Sequence, residues 1–416
     1  MSAVITNERG IALVITLLVV ALLTITVIEF TYSVQIDQHM ARNALSGLQA
    51  SLLARSGINI GEAFLLHDTP DPNPANDVDA FTEEWCLDPS PDGHACRIDE
   101  TSGEVLLPPN MRLKVEIIDE GGKLNINAVA LRNKGECDSW NNFAEGDPKR
   151  APLEMRRSIL EALLTDKGVP PEVADDIFTY WGSVLCPGSF GSTGPAFPGA
   201  GPTPPPGSQG SRSGTLPPTT ALPAPFASLD DAAVIPPLTP SVIRKLRPVL
   251  TALPTALPYA QIKVNINTAP IEVLNAILSS FGSDAVSGIV TQRSQAPMTG
   301  QDLNKIVNAA RQSGGQSVQT STTIGSMLTV TSQYFLVRAS GVVNPNPVTG
   351  RGGIGRSATM LVRRIRRQPS QVGGASAVPW TLTQLDWQKE GGGVLFQAQG
   401  DQEPGMADQA APGSGG

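Results

Sequence analysis

The chain has 416 residues, with 30 Lys+Arg against 38 Asp+Glu and a formal charge of −8; this length allows two or three domains. The acidic balance argues against nucleic acid as the main partner, because phosphate binding needs clustered cations, and 3 His with 4 Cys leave little material for a catalytic site. Gly (41) and Pro (36) approach a fifth of the residues, so part of the chain lies outside any packed core.

Ile11 to Ile28 reads IALVITLLVVALLTITVI, without a charge or a proline. As a helix it covers about 27 Å, close to the ~30 Å hydrocarbon core of a bilayer. The run exceeds the roughly 7–15 residues of a signal-peptide core, and no small-residue cleavage site follows it. A plain signal anchor is one reading. The other starts from the ten residues before the span, MSAVITNERG, which end in Gly10 at its edge. Leader, glycine and apolar helix together resemble the class III leader of type IV pilins and pseudopilins. That resemblance implies cleavage after Gly10 by prepilin peptidase and methylation of the new first residue, Ile11. Most members carry Glu at the fifth mature position, where this chain has Ile15. A carboxylate within lipid is costly unless paired, and in pilins its partner is the terminal amine of the adjacent subunit. A subunit lacking it forgoes that pairing, which suits the end of a filament.

No proline occurs between Ile11 and Pro70, and Val34, Ala41, Leu45, Leu48 and Leu52 follow a 3/4 spacing. The helix is therefore expected to continue to about Leu66, a length of roughly 84 Å, with Gly57 and Gly61 marking its fraying end.

Between His67 and Glu104 there are eleven Asp+Glu and one cation, Arg97. Such a run offers the oxygen ligands that Ca²⁺ takes, but EF-hand spacing is absent and a solvated acidic loop fits the pattern better. Cys86 and Cys96 sit in WCLDPSPDGHAC, and Cys137 and Cys186 complete an even count. Local closure favours Cys86–Cys96, leaving Cys137–Cys186, although four cysteines allow three pairings. Zinc is disfavoured because there is no CxxC spacing.

Arg112–Ile118 alternates polar and apolar, and Glu120-Gly121-Gly122 offers a turn into Lys123–Val129, which predicts a β-hairpin. Helices are expected over Pro152–Leu164, with Gly168 as C-cap, and from Pro171 through Trp181. Pro187–Phe226 holds 11 Pro and 8 Gly in 40 residues and reads as a loop or linker. Helices resume after Thr239-Pro240, after Thr268 as a cap, over Asp284–Gln292, and behind a Thr299-x-x-Asp302 capping box. Strands follow at Gln333–Val343 and Arg356–Arg366, with an edge strand within Val378–Trp387. In the basic cluster Arg363, Arg364, Arg366 and Arg367, alternation puts Arg364 and Arg366 on one face, as a solvated edge or facing an acidic partner.

This order resembles the K-type minor pseudopilins of type II secretion (general secretion pathway protein K). The local matches are Gly122-Lys123-Leu124-Asn125-Ile126-Asn127, Leu246-Arg247-Pro248 with Leu253-Pro254, and Lys263-Val264-Asn265-Ile266-Asn267-Thr268-Ala269. The resemblance implies an α+β fold: a pilin-like long N-terminal helix on a small antiparallel sheet, with a large inserted all-α domain. The expected division is a leader (1–10), a membrane half-helix (11–28) and a first part of the head (29–130). A helical insertion (131–325, with the Pro/Gly loop 187–226), closing strands (326–367) and a tail (368–416) complete it. The resemblance further implies a single-pass inner-membrane protein, mostly periplasmic, that caps a pseudopilus and carries out no chemistry. Its partners would be I-type and J-type minor pseudopilins, the major pseudopilin, prepilin peptidase and the inner-membrane secretion platform. Family members often carry an acidic stretch after a DWID-like segment, and the resemblance implies calcium as the one candidate cofactor there. Here Thr179-Tyr180-Trp181-Gly182-Ser183 leads into the Pro/Gly run, so no cofactor is expected. The rival reading is a bitopic DNA-binding or DNA-uptake protein using Lys263–Arg293, which resembles a helix-hairpin-helix around Ser280-Phe281-Gly282-Ser283. Arg293 is its only cation between Ile271 and Gln301, too few for phosphate binding.

Overall fold

A computed structural model describes residues 8–68, 77–90, 95–99, 107–129, 131, 134–185, 226–253, 263–279, 283–312, 324–344, 353–366 and 380–388. The first element is helix α1, Glu8–His67, unbroken over 60 residues. With no proline to interrupt it, the backbone ladder continues through the apolar run into a more polar stretch. Hydroxyls that would otherwise lack partners in that run turn inward: Thr16 donates to the Leu13 carbonyl, Thr24 to Val20 and Thr26 to Leu22, at 2.8–2.9 Å. The chain then forms three strands, β1 (Asp88–Pro89), β2 (Cys96–Asp99) and β3 (Met111–Asp119).

Beyond β3 lies a helical unit. It contains β4 (Leu124–Asn125), α2 (Ile126–Val129), α3 (Lys134–Asn142), α4 (Ala151–Asp166), α5 (Val173–Leu185) and α6 (Pro240–Leu246). It continues with β5 (Leu250–Thr251), β6 (Val264–Asn265), α7 (Ile271–Leu278), α8 (Ser283–Gln295), α9 (Gly300–Gln312) and β7 (Leu328–Thr329). One apolar core runs from Leu124 to Val330 and includes Leu160, Leu163, Phe178, Trp181, Ile243, Leu274 and Ile277. The expected hairpin over Lys123–Val129 does not form. Leu124–Asn125 pairs in parallel with Leu250–Thr251, and a helical turn follows at once.

That short strand has a counterpart. Leu124-Asn125-Ile126-Asn127 and Val264-Asn265-Ile266-Asn267 each begin in a two-residue parallel pairing, β4 with β5 and β6 with β7. In each, the first Asn Oδ1 accepts from the amide of the second at 3.1 Å, closing an Asx turn. The second Asn then clamps a distant backbone. Asn127 donates to the Phe226 carbonyl at 2.9 Å and accepts from its N–H at 3.0 Å. Asn267 donates to the Met298 carbonyl at 3.0 Å and accepts from its N–H at 2.8 Å. Thr268 does not cap α7, which starts after Pro270 without a side-chain cap; its hydroxyl donates to Asp119 instead. The Thr299/Asp302 box does form, with Thr299 N–H donating to Asp302 at 3.1 Å and Asp302 N–H to Thr299 Oγ1 at 3.4 Å.

Three strands follow: β8 (Tyr334–Val343), β9 (Ile354–Arg366) and β10 (Trp380–Gln388). They join the first three in one antiparallel sheet of order β1-β2-β3-β8-β9-β10. β3 pairs with β8 through Asp119↔Phe335, so the helical unit leaves and returns at neighbouring points of the sheet. Inward positions of β3, β8 and β9, among them Val115, Ile117, Phe335, Val337, Met360 and Val362, meet Leu53, Ala54, Ile58 and Leu65 of α1. The contact is close. A Cβ on Gly57 would lie 2.7 Å from Ala339 Cβ, and one on Gly61 2.5 Å from Val337 Cγ1. These glycines are thus the seam between helix and sheet and do not mark a fraying end, since the helix runs on to His67. The fold is α+β: a long N-terminal helix against an antiparallel sheet, accompanied by a block of helices.

Candidate functional site

Two features stand out above the packed core, an apolar rod and a sealed ionic junction. The rod is the first half of α1. Leu13, Val14, Leu17, Leu18, Leu22, Leu23, Val27 and Ile28 are all exposed, and none of the described residues covers them. Among the described residues α1 is the one helix long and apolar enough to cross a membrane. Gly10 and Ile11 lie in its first turn. Ile15 is 57% exposed, so the fifth position counted from Ile11 presents an aliphatic group on the helix surface. Further along α1, Leu45, Leu48 and Leu52 form an exposed stripe on the side facing away from the sheet, and Ile36 and Met40 are exposed on the opposite face.

The junction lies where α1 ends. Arg364, on β9, is 0% exposed and follows the inward alternation of Ala358, Met360 and Val362. Its guanidinium donates to Asp68 Oδ2 at 2.6 Å and to Asp79 Oδ1, and lies 4.7 Å from the Phe335 ring centroid. The sequence suggested a solvated edge or an external acidic partner; the acidic partners are internal, and two members of the supposed solvated loop are buried. Asp79 also reaches the helical unit. Its amide donates to the Val330 carbonyl at 2.8 Å, its side chain accepts from Ser332 N–H, and its carbonyl accepts from Asn265 Nδ2 at 2.9 Å.

Asp119, the last residue of β3, forms the other half of the junction. Its carboxylate accepts from Gly121 N–H (2.7 Å), Ser332 Oγ (2.6 Å), Thr268 Oγ1 (2.5 Å) and Asn265 Nδ2 (3.2 Å). Burial pushes its carboxyl above the usual carboxylate range, and the donors pull the other way. Burial likewise pushes Asp68 up, with Arg364 opposing. Glu83, held by Ala80 N–H and Trp85 Nε1, is pushed to about 8, chiefly by burial and then by the charge of Asp68.

Asp68, Asp79 and Glu83 each place a carboxylate oxygen within 4.8 Å of the others. Calcium takes six to eight oxygen ligands, whereas two of these three carboxylates already share the Arg364 guanidinium. The donor set does not fit a resident calcium, since a fixed cation already serves it. The Thr179–Ser183 segment offers no carboxylate either. It lies on α5, where Tyr180 stacks on Phe226 at 5.3 Å and Trp181 meets the same ring edge-on.

The remaining sequence candidates fall as follows. Cys86 and Cys96 are disulfide-bonded with Cα atoms 5.2 Å apart, bracing β2 against the loop before β1. Cys137 is buried and disulfide-bonded, and Cys186 lies outside the described residues. The hairpin residues 280–282 also lie outside them. Arg293 is turned inward and donates to the Ile266 and Ala269 carbonyls at 3.1 and 2.6 Å, so it holds backbone rather than presenting a phosphate-binding charge. Arg363 rests over the Tyr334 ring, while the side chain of Arg366 and all of residue 367 lie outside the described set.

The chain is similar to known proteins in part of its sequence and in its fold. Residues 264–331, from β6 to just past β7, match the family described as type II secretion system (T2SS), protein K. Type II secretion system protein K of Pseudomonas aeruginosa is 29% identical over 171 residues, which is 41% of this chain; the match spans 45% of that relative, under half its length. A chain of the crystal structure of the GspK-GspI-GspJ complex from the enterotoxigenic Escherichia coli type 2 secretion system superposes with a TM-score of 0.53 at 15% identity. That superposition covers 85% of this chain and 99% of the other. In sequence and in fold, this chain is similar to protein K of type II secretion.

Proposed function

We infer that the chain is a minor pseudopilin of type II secretion, anchored in the inner membrane by the first half of α1 and capping the tip of a periplasmic pseudopilus. The observation that carries this reading is the rod: an exposed apolar helix from Ala12 to Ile28 that continues without a break into a packed α+β head. Within lipid there is no hydrophobic drive between helices, so the span associates with related helices through shape and dispersion. The stripe Leu45, Leu48, Leu52 extends that packing face above the bilayer. Ile15 in place of a carboxylate removes the pairing that a subunit deep in a fibre makes with its neighbour, which favours an end position. The helical unit between β3 and β8 adds bulk that a tightly wound array has no room for, and this favours the same place.

The proposed division is a leader (1–10), the membrane half-helix (11–28), a head interrupted by the helical insertion (131–325), and a tail (368–416). Its partners are the I-type and J-type minor pseudopilins, as in the complex it resembles, together with the major pseudopilin and the secretion platform. Assembly, with no reaction of its own, is the activity. Mass spectrometry of the membrane-extracted chain tests the reading: it predicts an N-terminus at N-methylated Ile11, and a retained Met1 overturns it. Co-purification of the mature chain with its I- and J-type partners tests the tip assignment.

A further inference from the structure

On the sheet face turned away from α1, four side chains form one row across four strands. The register pairs Arg97 with Glu116, Glu116 with Arg338, and Arg338 with Thr359. Side chains in such a row are close enough to act together. Two residues along the strands runs an apolar row, in which Ile118 pairs with Leu336 and Leu336 with Leu361. Both rows line a cavity of about 610 Å³ whose other wall comes from the helical unit, with Leu229, Arg244 and Leu253 among its residues.

The polar row is incomplete as it stands. It holds two guanidinium groups and one carboxylate, and Glu116 already takes Lys114 at 2.7 Å. Arg338 approaches Glu116 only to 3.6 Å, too far for a hydrogen bond. Thr359 is 6% exposed, yet its hydroxyl has no hydrogen-bond partner among the described residues, and the Nε atoms of Arg97 and Arg338 are buried in the same condition. Buried donors are normally satisfied, and those that are not call for an explanation.

We propose that this cavity docks an extended segment of a partner protein through an acidic side chain. The carboxylate lies over Arg338 and Thr359, which are neighbours in the row, and accepts from the guanidinium and the hydroxyl, because a guanidinium donor matches carboxylate oxygens. The two rows are two residues apart along the strands, about 7 Å, which is also the spacing of alternate side chains in an extended peptide. The segment therefore reads acidic–any–aliphatic, its aliphatic residue resting on Ile118, Leu336 and Leu361.

The test uses the full chain in detergent micelles and fluorescence anisotropy of a labelled, C-terminally amidated peptide, Gly-Ser-Glu-Ser-Leu-Ser-Gly, beside its Glu→Gln counterpart. The acidic peptide is expected to bind about tenfold tighter than the neutral one, with the difference shrinking as salt rises. Arg338→Gln is expected to abolish the discrimination. Thr359→Val, which keeps the shape and removes the hydroxyl, should weaken the acidic peptide alone. Ile118→Ser should weaken both peptides. Equal affinity for the two peptides, binding by neither, or unchanged discrimination in Arg338→Gln overturns the proposal. Thermal unfolding checks each variant, and Arg338→Met, which keeps the aliphatic stem and removes the charge, replaces Arg338→Gln if the latter fails to fold. The N-terminal mass of the chain is unaffected by any of these results, so a failure here is separable from a failure of the pseudopilin reading.

Discussion

The Arg364 guanidinium lies 2.6 Å from the Asp68 carboxylate, 296 residues earlier in the chain. The pair ties the end of β9 to the point where α1 stops, and Asp79 extends the tie to the helical unit. Arg364→Gln removes the guanidinium charge that two buried carboxylates share. The expected loss in unfolding free energy is about 3–5 kcal/mol, measured by denaturant titration of the full chain in detergent. A loss below about 1 kcal/mol would mean that the carboxylates find other partners.

The same substitution should have opposite signs at two glycines. Gly61→Ala puts a methyl 2.5 Å from Val337 Cγ1, so helix and sheet must part, at a cost of about 1–3 kcal/mol. Gly288→Ala, on α8, meets nothing within 4 Å and relieves a glycine in a helix interior, for a gain of about 0.5–1 kcal/mol. Shifts of the unfolding midpoint in opposite directions are the expected reading.

Glu83 predicts the pH dependence. Its folded-state value of about 8 lies above the ordinary 4.5, so between those values the folded chain binds more protons than the unfolded one. The stability linked to the protonated carboxyl is therefore fully present below pH 4.5 and is lost as pH rises through about 8. Glu83→Gln should flatten this slope and exceed the parent in stability at pH 8. Denaturant midpoints at pH 5 and pH 8 measure it, and equal slopes in parent and variant would rule it out.

The two Asn clamps make a paired prediction. Asn127→Ala strands the N–H and carbonyl of Phe226, and Asn267→Ala strands those of Met298. Each should cost about 2–4 kcal/mol, since a buried group left unmet carries its full desolvation penalty. Amide hydrogen exchange should quicken at residue 226 in the first variant and at residue 298 in the second.

Much of the fold was legible because local rules and packing coincide. The absence of proline before Pro70 and the apolar run define α1. The β-branched alternation of β8 and β9 places their inward residues, and Thr299 with Asp302 marks the start of α9. Where one pattern serves two structures, the sequence misleads. Lys123–Val129 alternates like a strand, yet its asparagines alternate to close an Asx turn and clamp a loop. Gly57 and Gly61 look like breakers in one dimension, while their role is set by Val337 and Ala339, nearly 300 residues away. For Arg364, alternation gives the face but not what covers it, and its burial depends on Asp68 and Asp79 arriving from another part of the chain. The cross-strand row at Arg338 is invisible in the same way, because its four members come from four strands in two distant stretches of the chain.

Because β3 and β8 are neighbours, the chain leaves the sheet at Asp119 and re-enters it beside that point at Phe335. A short reverse turn would bridge that doorway and keep the pairing of β3 with β8. The helical block can thus grow, shrink or diversify between related chains while the rod and its seat keep their geometry.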